Sequence, residues 1–191
     1  MRFALELTGA TPLVMHNIRL ADEDDEIVME IKKLTSKKTK TKQDRDEIGR
    51  LEWYGGLYTD QGKVVMPTEN FKRCVAEIAK VRKLGKAVER AMLPLDGLHV
   101  PLIHDGPQSL EELCSSDVYR LRKSVGVMGR RVTRVRPRFP AWGLTLSVEL
   151  LADVMDPGTF VDLVHLAGRA EGLGDGRRIG YGRFSATIKE V

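Results

Sequence analysis

Cysteine is scarce: Cys74 and Cys114 are the only two in 191 residues, too few for a disulfide framework and not spaced as a metal knuckle. That excludes the small disulfide-built scaffolds and makes a reducing, intracellular setting the expectation. Long apolar runs are missing too. No stretch approaches the ~20 residues that span a bilayer, and Met1 to Leu20 lacks the apolar core of a signal peptide. A cytoplasmic protein with no membrane partner is therefore expected. Aromatic residues are only 6% of the chain, so each large ring must be weighed as core or as a stacking surface. Histidines, cysteines and carboxylates nowhere cluster with ligand spacing, and no metal or other cofactor is expected.

Acidic residues are missing over one long stretch. Between Val118 and Val148 there is none, while Arg120, Arg122, Lys123, Arg130, Arg131, Arg134, Arg136 and Arg138 all fall there. The net charge of the whole chain is only +4, so it is the segregation that carries information. Such a segment suits a polyanion.

The length and a hydrophobic content of 42% support one substantial core, and the chain reads as a single domain over 1–191. A charged insertion at about 21–52 and the arginine-rich segment at about 118–140 elaborate it. "RFALELT" alternates as a half-buried first strand. The insertion starts acidic at "DEDD", Asp22 to Asp25, a solvated helix start, and ends in Lys37, Lys38, Lys40 and Lys42, read as a mobile basic arm. "GLYTDQGKVVMP" reads as a hairpin turning at Gln61 and Gly62, and a helix follows with Thr68 as its N-cap. "GRRVTRVRPRFP" is extended, and Pro137 and Pro140 argue against the centre of a sheet for its end. "LTLSVELL" alternates again. Asp156 and Pro157 then open an apolar-striped helix that Gly172 terminates, and "RFSATIKEV" is the closing strand. Without insertions the order is βαββαβ. That is an α+β, ferredoxin-like (RRM-like) antiparallel sheet with its helices on one face.

Before the last strand stands "GLGDGRRIGYGRF", residues 172–184. The pairs Gly172/Gly174 and Gly180/Gly182 are five residues apart, with Arg177 and Arg178 between them. Glycines allow positive φ and close approach of a ligand to the backbone. Successive amides can form an anion nest, and guanidinium groups add donors suited to phosphate. Position by position this stretch resembles the glycine-rich loop of the RAMP superfamily of CRISPR-associated proteins, with Leu173, Tyr181 and Phe184 at its apolar positions. "KVVMPTENFKRCVAEIAK" is similar to the strand, proline and basic helix of RAMP backbone subunits, which places Lys72 and Arg73 near nucleic acid. Where those subunits carry a glycine-serine turn, this chain has Thr68, Glu69 and Asn70.

The resemblance implies a short backbone-subunit-like member, of a CRISPR system or of a phage or mobile element. Its partner is single-stranded RNA, or DNA, held without reading sequence. The protein is then a homo-oligomer or filament along the strand, or a subunit of a ribonucleoprotein. The binding set is Gly172, Gly174, Arg177, Arg178, Gly180, Tyr181 and Gly182, with Arg130, Arg131, Arg134, Arg136 and Arg138, the four lysines, Lys72, Arg73 and Asn17. Tyr181 is the ring expected to stack on a base. Phe139, Trp142, Trp53 and Tyr54 read as core or hinge residues.

Other readings stay open. His16 suits a metal-independent endoribonuclease acting on repeat RNA, with Asn17 positioning the phosphate; it also reads as a loop histidine making a backbone hydrogen bond. A phage single-stranded DNA binding or annealing protein, and a module whose basic face meets an acidic protein, are the remaining alternatives.

Overall fold

The computed structural model describes every residue from 1 to 191 except Met128, and at Val127 and Arg130 it describes the backbone only. In chain order the elements are β1 (Arg2–Gly9), β2 (Leu13–Val14), α1 (Glu26–Ser36), α2 (Lys42–Gly56), β3 (Thr59–Asp60), β4 (Lys63–Pro67), α3 (Thr68–Ala79) and α4 (Gly85–Ala91). There follow β5 (Met92–Pro94), β6 (His99–Pro101), β7 (Ile103–His104), α5 (Leu110–Ser115), β8 (Arg120–Val127) and β9 (Arg130–Phe139). The chain closes with β10 (Trp142–Leu150), α6 (Pro157–Leu166) and β11 (Phe184–Glu190). Helix and antiparallel sheet are mixed, as an α+β protein requires. The contacts group the chain into two compact units, one of residues 1–13, 59–105 and 140–191, the other of 14–58 and 106–139.

In the first unit the main sheet runs β11-β1-β10-β5, with β7 also pairing β10, and each paired neighbour is antiparallel. Its register explains its buried face. Phe3 opposes Val148, Leu5 opposes Leu146 and Leu7 opposes Leu144, so strand alternation puts all six on one side, and all six are buried. Helices α6 and α3 cover that side: Phe160 lies 5.4 Å from Phe3 by ring centroids, and Phe71 lies 6.3 Å from Phe184. The edge place beside β10 belongs to β5, a short strand without alternation. Two further short strands follow within residues 97–107: β6, which pairs β4, and β7, which pairs β10.

Asp156 caps α6 as expected, accepting the Thr159 N–H at 2.8 Å. Gly172 ends the five-residue wide turn that follows it, with φ at +80°. Thr68 does not cap α3. It is the helix's first residue, and its hydroxyl donates to the Gly97 carbonyl at 2.8 Å. The β3–β4 hairpin turns at Gln61 and Gly62, with φ of +47° and +76°.

The second unit holds both the charged segment and the arginine-rich one. Asp25 caps α1, accepting the Ile27 N–H at 2.9 Å, and pairs with Arg19 at 2.7 Å. The acidic patch is thus a helix start. A reciprocal box between Thr41 and Asp44 opens α2. Residues 37–41, expected as an arm, form the short link between α1 and α2. Lys37 pairs with Asp44 at 2.6 Å, the Lys40 ammonium donates to the Lys37 carbonyl at 3.0 Å, and Lys42 already lies in α2.

Trp53 anchors the second core, its indole N–H donating to the Tyr119 carbonyl at 2.8 Å. The arginine-rich segment folds back on itself as the β8–β9 hairpin, and β9 is the central strand of the order β2-β9-β8. Pro137 therefore does lie within a central strand. It takes part as an acceptor, its carbonyl receiving the Met15 N–H at 3.0 Å, a role for which proline's missing N–H is irrelevant.

Candidate nucleic-acid interface

In the first unit the glycine-rich segment forms a closed loop between α6 and β11. Positive φ occurs at both pairs and also at Gly176, between them, with φ of +71°. The pairs pack on each other: the Leu173 N–H donates to the Gly182 carbonyl at 2.8 Å. A Cβ at Gly182 would lie 1.8 Å from the Leu173 oxygen, inside any permissible contact, so no larger residue fits. Gly182 donates in turn to Pro12 at 2.9 Å, and the Thr11 hydroxyl donates to the Gly180 carbonyl at 2.8 Å while accepting the Arg183 N–H at 2.9 Å. These amides are committed to closing the loop. What the loop offers an anion includes its arginine side chains.

Those side chains rim a cleft of about 680 Å³ lined by Arg177, Arg178 and Arg183, with Glu77, Glu171 and Asp175 among its walls. Arg177 pairs with Glu171 at 2.7 Å, and Arg178 is exposed. Arg183 donates from Nη2 to the Arg177 carbonyl at 3.1 Å, while its Nη1 is buried with no hydrogen-bond partner among the described residues. A buried guanidinium donor without an acceptor is costly unless a ligand supplies one. Arg183 was not singled out in the sequence, although it directly follows the second glycine pair. Tyr181 lies over Gly176, where an added Cβ would be 2.7 Å from the ring, so loop packing uses part of its surface. On α3, Arg73 is exposed and 3.9 Å from Glu69, and Lys72 is half-exposed.

In the second unit the arginine run is not one track. Alternation along β9 puts Arg134, Arg136 and Arg138 on one face and Arg131 on the other. Arg131 is exposed, and the Arg130 side chain lies outside the described residues. Arg138 donates through Nη2 and Nε to the Val118 carbonyl at 2.8 and 2.9 Å, a structural tie. Arg134 pairs at 2.5 Å with Glu52, whose other oxygen accepts the Val135 N–H at 2.8 Å. Glu52 is the buried carboxylate that sequence reading missed, since an acid on a helix looks like part of a solvated face.

His16 stands on the rim of a cleft of about 770 Å³ that also exposes Arg134, Arg136 and Glu52. The Met15–Pro137 backbone bond lays its segment beside the end of β9. Although the side chain reaches solvent, loss of hydration against the cleft walls lowers its pKa below 6.5, helped by Arg136 and Arg134 and opposed by Glu52. Arg136 itself is driven down, chiefly by burial. Asn17 is engaged at both ends, donating to the Leu57 carbonyl at 3.1 Å and accepting the Arg19 N–H at 3.1 Å. Of the expected rings, Trp53, Trp142 and Phe139 are buried.

A linkage prediction follows from His16. Well above pH 6.5 the imidazole is neutral folded or unfolded and contributes nothing. As pH falls below that value the unfolded chain takes the proton first, which favours unfolding. His16→Gln should therefore lose less stability than the parent between pH 6.5 and 5, read from urea midpoints. Equal losses would show that neither loss of hydration nor the neighbouring arginines lowers the pKa of this histidine.

No protein-family model and no curated protein matches the sequence. Solved structures do. The chain is similar to one in the cryo-EM structure of the Type III-B Cmr-beta bound to cognate target RNA, with a TM-score of 0.55 and 12% identity. The match covers 98% of this chain and 59% of that one, so this chain spans about three-fifths of the relative's length. The crystal structure of Cmr6 from Pyrococcus furiosus is also found, with 11% identity, 98% coverage of both chains and a TM-score of 0.34. Among the described residues no helix is long and apolar enough to cross a membrane.

Proposed function

We propose that this chain is a RAMP-type subunit that holds single-stranded RNA by its backbone, as part of a CRISPR-effector-like ribonucleoprotein. The observation that carries the reading is the glycine-rich loop, closed by its own amides and presenting Arg177, Arg178 and Arg183 around one cleft. Guanidinium groups meeting phosphates hold a strand in any sequence, since phosphates carry no base information. The strand order β11-β1-β10-β5, with α3 and α6 over one face, supports the ferredoxin-like topology on which that loop is expected. The likeness in fold to a chain of an RNA-bound Cmr-beta complex supports RNA over DNA.

Size-exclusion chromatography with light scattering, on RNA and DNA strands of increasing length, tests the assembly. Mass rising stepwise with RNA length supports coating of the strand. A fixed stoichiometry at every length excludes it, and a preference for DNA would turn the reading to a phage-type annealing protein.

One observation favours a second reading, a metal-independent endoribonuclease. His16 shares its cleft with two arginines, and loss of hydration and those arginines push it toward the neutral form, in which an imidazole can accept a 2′-hydroxyl proton. Cleavage in EDTA that leaves a 2′,3′-cyclic phosphate and disappears in His16→Ala would establish it. Intact RNA across structured and unstructured substrates would rule it out.

A further inference from the structure

The His16 cleft has two chemically different parts, and phosphate binding accounts for only one of them. On α1, Val28 and Ile31 stand one turn apart, and both line it. On the hairpin, Val125 and Val132 are a directly opposed cross-strand pair, and both line it as well. Helix and hairpin thus give the cleft two aliphatic walls. Its polar part is cationic: Arg134 and Arg136 from β9, with Lys32 and Lys40 at the rim, against the single carboxylate of Glu52. The register also sets Lys123 directly opposite Arg134. The volume of about 770 Å³ is that of a small-ligand site.

An apolar slot ending in half-buried guanidinium groups suits an occupant with a flat apolar body and an anion at one end. We propose that the cleft binds one nucleotide, its base between the aliphatic walls and its phosphate on Arg134 and Arg136. The inference rests on the RNA-binding reading only for the choice of nucleotide over other amphiphilic anions. The phosphate shares the cleft with His16, whose imidazole feels Arg136 and Arg134 and, with the opposite sign, Glu52. An added anion offsets the two arginines and favours the imidazolium, so binding takes up a proton.

The test uses the full chain and needs no strand. Adenosine, cytidine and uridine 5′-monophosphates and inorganic phosphate are titrated separately, watching the His16 imidazole by NMR and heat by calorimetry. The expected result is nucleotide binding at least tenfold tighter than phosphate. Because the phosphate monoester itself takes up a proton near pH 6, the His16 contribution is read against His16→Gln: the affinity ratio between pH 6 and pH 7.5 should be about threefold to tenfold larger in the parent than in that variant. Arg136→Ala should weaken binding tenfold or more. Lys32→Glu, on an exposed side chain, carries the same expectation of weakening if the Arg136 variant does not fold. A second arm places 2-aminopurine within single-stranded RNA, and a fluorescence rise on binding identifies a residue of the strand as the occupant. Nucleotide binding without that rise identifies the free nucleotide. Phosphate binding as tightly as the nucleotides, or no shift at His16 with any of them, overturns the proposal. An acidic peptide that shifts His16 where the nucleotides do not would overturn it in favour of a protein partner. Loss of strand binding alone would count against the glycine-loop reading, not against this one.

Discussion

Replacing Arg177 and Arg178 together by alanine is expected to lower the affinity for single-stranded RNA by about 2–3 kcal/mol, roughly 30-fold to 150-fold. Hydrogen bonds between guanidinium groups and phosphate are charge-assisted and stronger than neutral ones. The diagnostic quantity is the salt dependence. Each phosphate contact contributes about −0.7 to the slope of log affinity against log salt for single strands, so losing two contacts should flatten it by roughly 1.4. Filter binding between 50 and 300 mM salt would measure both. A reduced affinity with an unchanged slope would mean that the substitutions disturbed the loop, not a phosphate contact. That outcome is physically distinct here, because Arg177 also pairs with Glu171 at 2.7 Å and its carbonyl receives Arg183. Arg178, exposed as it is, should account for a slope change of about 0.7 by itself.

Gly182→Ala should be among the most damaging single substitutions in the chain. The backbone there has φ of +71°, and the new methyl would meet the Leu173 oxygen at 1.8 Å. Left-handed backbone at a non-glycine residue costs about 1–3 kcal/mol by itself. The clash also breaks the packing of one glycine pair on the other, so a loss of about 4 kcal/mol or complete failure to fold is expected. Gly62→Ala is the matched control. Its φ is +76°, yet nothing lies within 4 Å of the added methyl, so the loss should stay near 1 kcal/mol. Urea midpoints for the two variants separate backbone strain from steric exclusion. Comparable losses would show that the loop can open without penalty and that its closure is not what fixes the arginines.

Local patterns made much of the fold legible. The alternation of Phe3, Leu5 and Leu7 against Leu144, Leu146 and Val148 is a period-2 signal, and it became the paired buried face of β1 and β10. Asp156 and Pro157 start α6, and Gly172 ends the wide turn that continues it, because caps act within one turn of chain. The misreadings have a common cause. Thr68 has the chemistry of a cap, but the Gly97 carbonyl, nearly thirty residues away, takes its hydroxyl. The lysines of 37–42 have the composition of an arm, but the Thr41–Asp44 box starts a helix among them. The eight basic residues from Arg120 to Arg138 carry no signal of the hairpin that sorts them, since pairing partners are set by register.

By itself the sequence determined which groups are present and where the backbone can turn: the glycine pairs, the arginines between them, the acid-free stretch, the caps and the alternating strands. These follow from covalent chemistry and from interactions within a turn or two of chain. Only the tertiary structure decided which charges meet. It used the loop's amides to close the loop and brought Arg183 beside Arg177. It buried Glu52 against Arg134, sent Arg138 to a backbone carbonyl, and set His16 in one cleft with Arg134 and Arg136. Apart from the contacts inside the glycine loop, those outcomes join residues twenty or more positions apart, and a charge's effect depends on burial and on its neighbours in space.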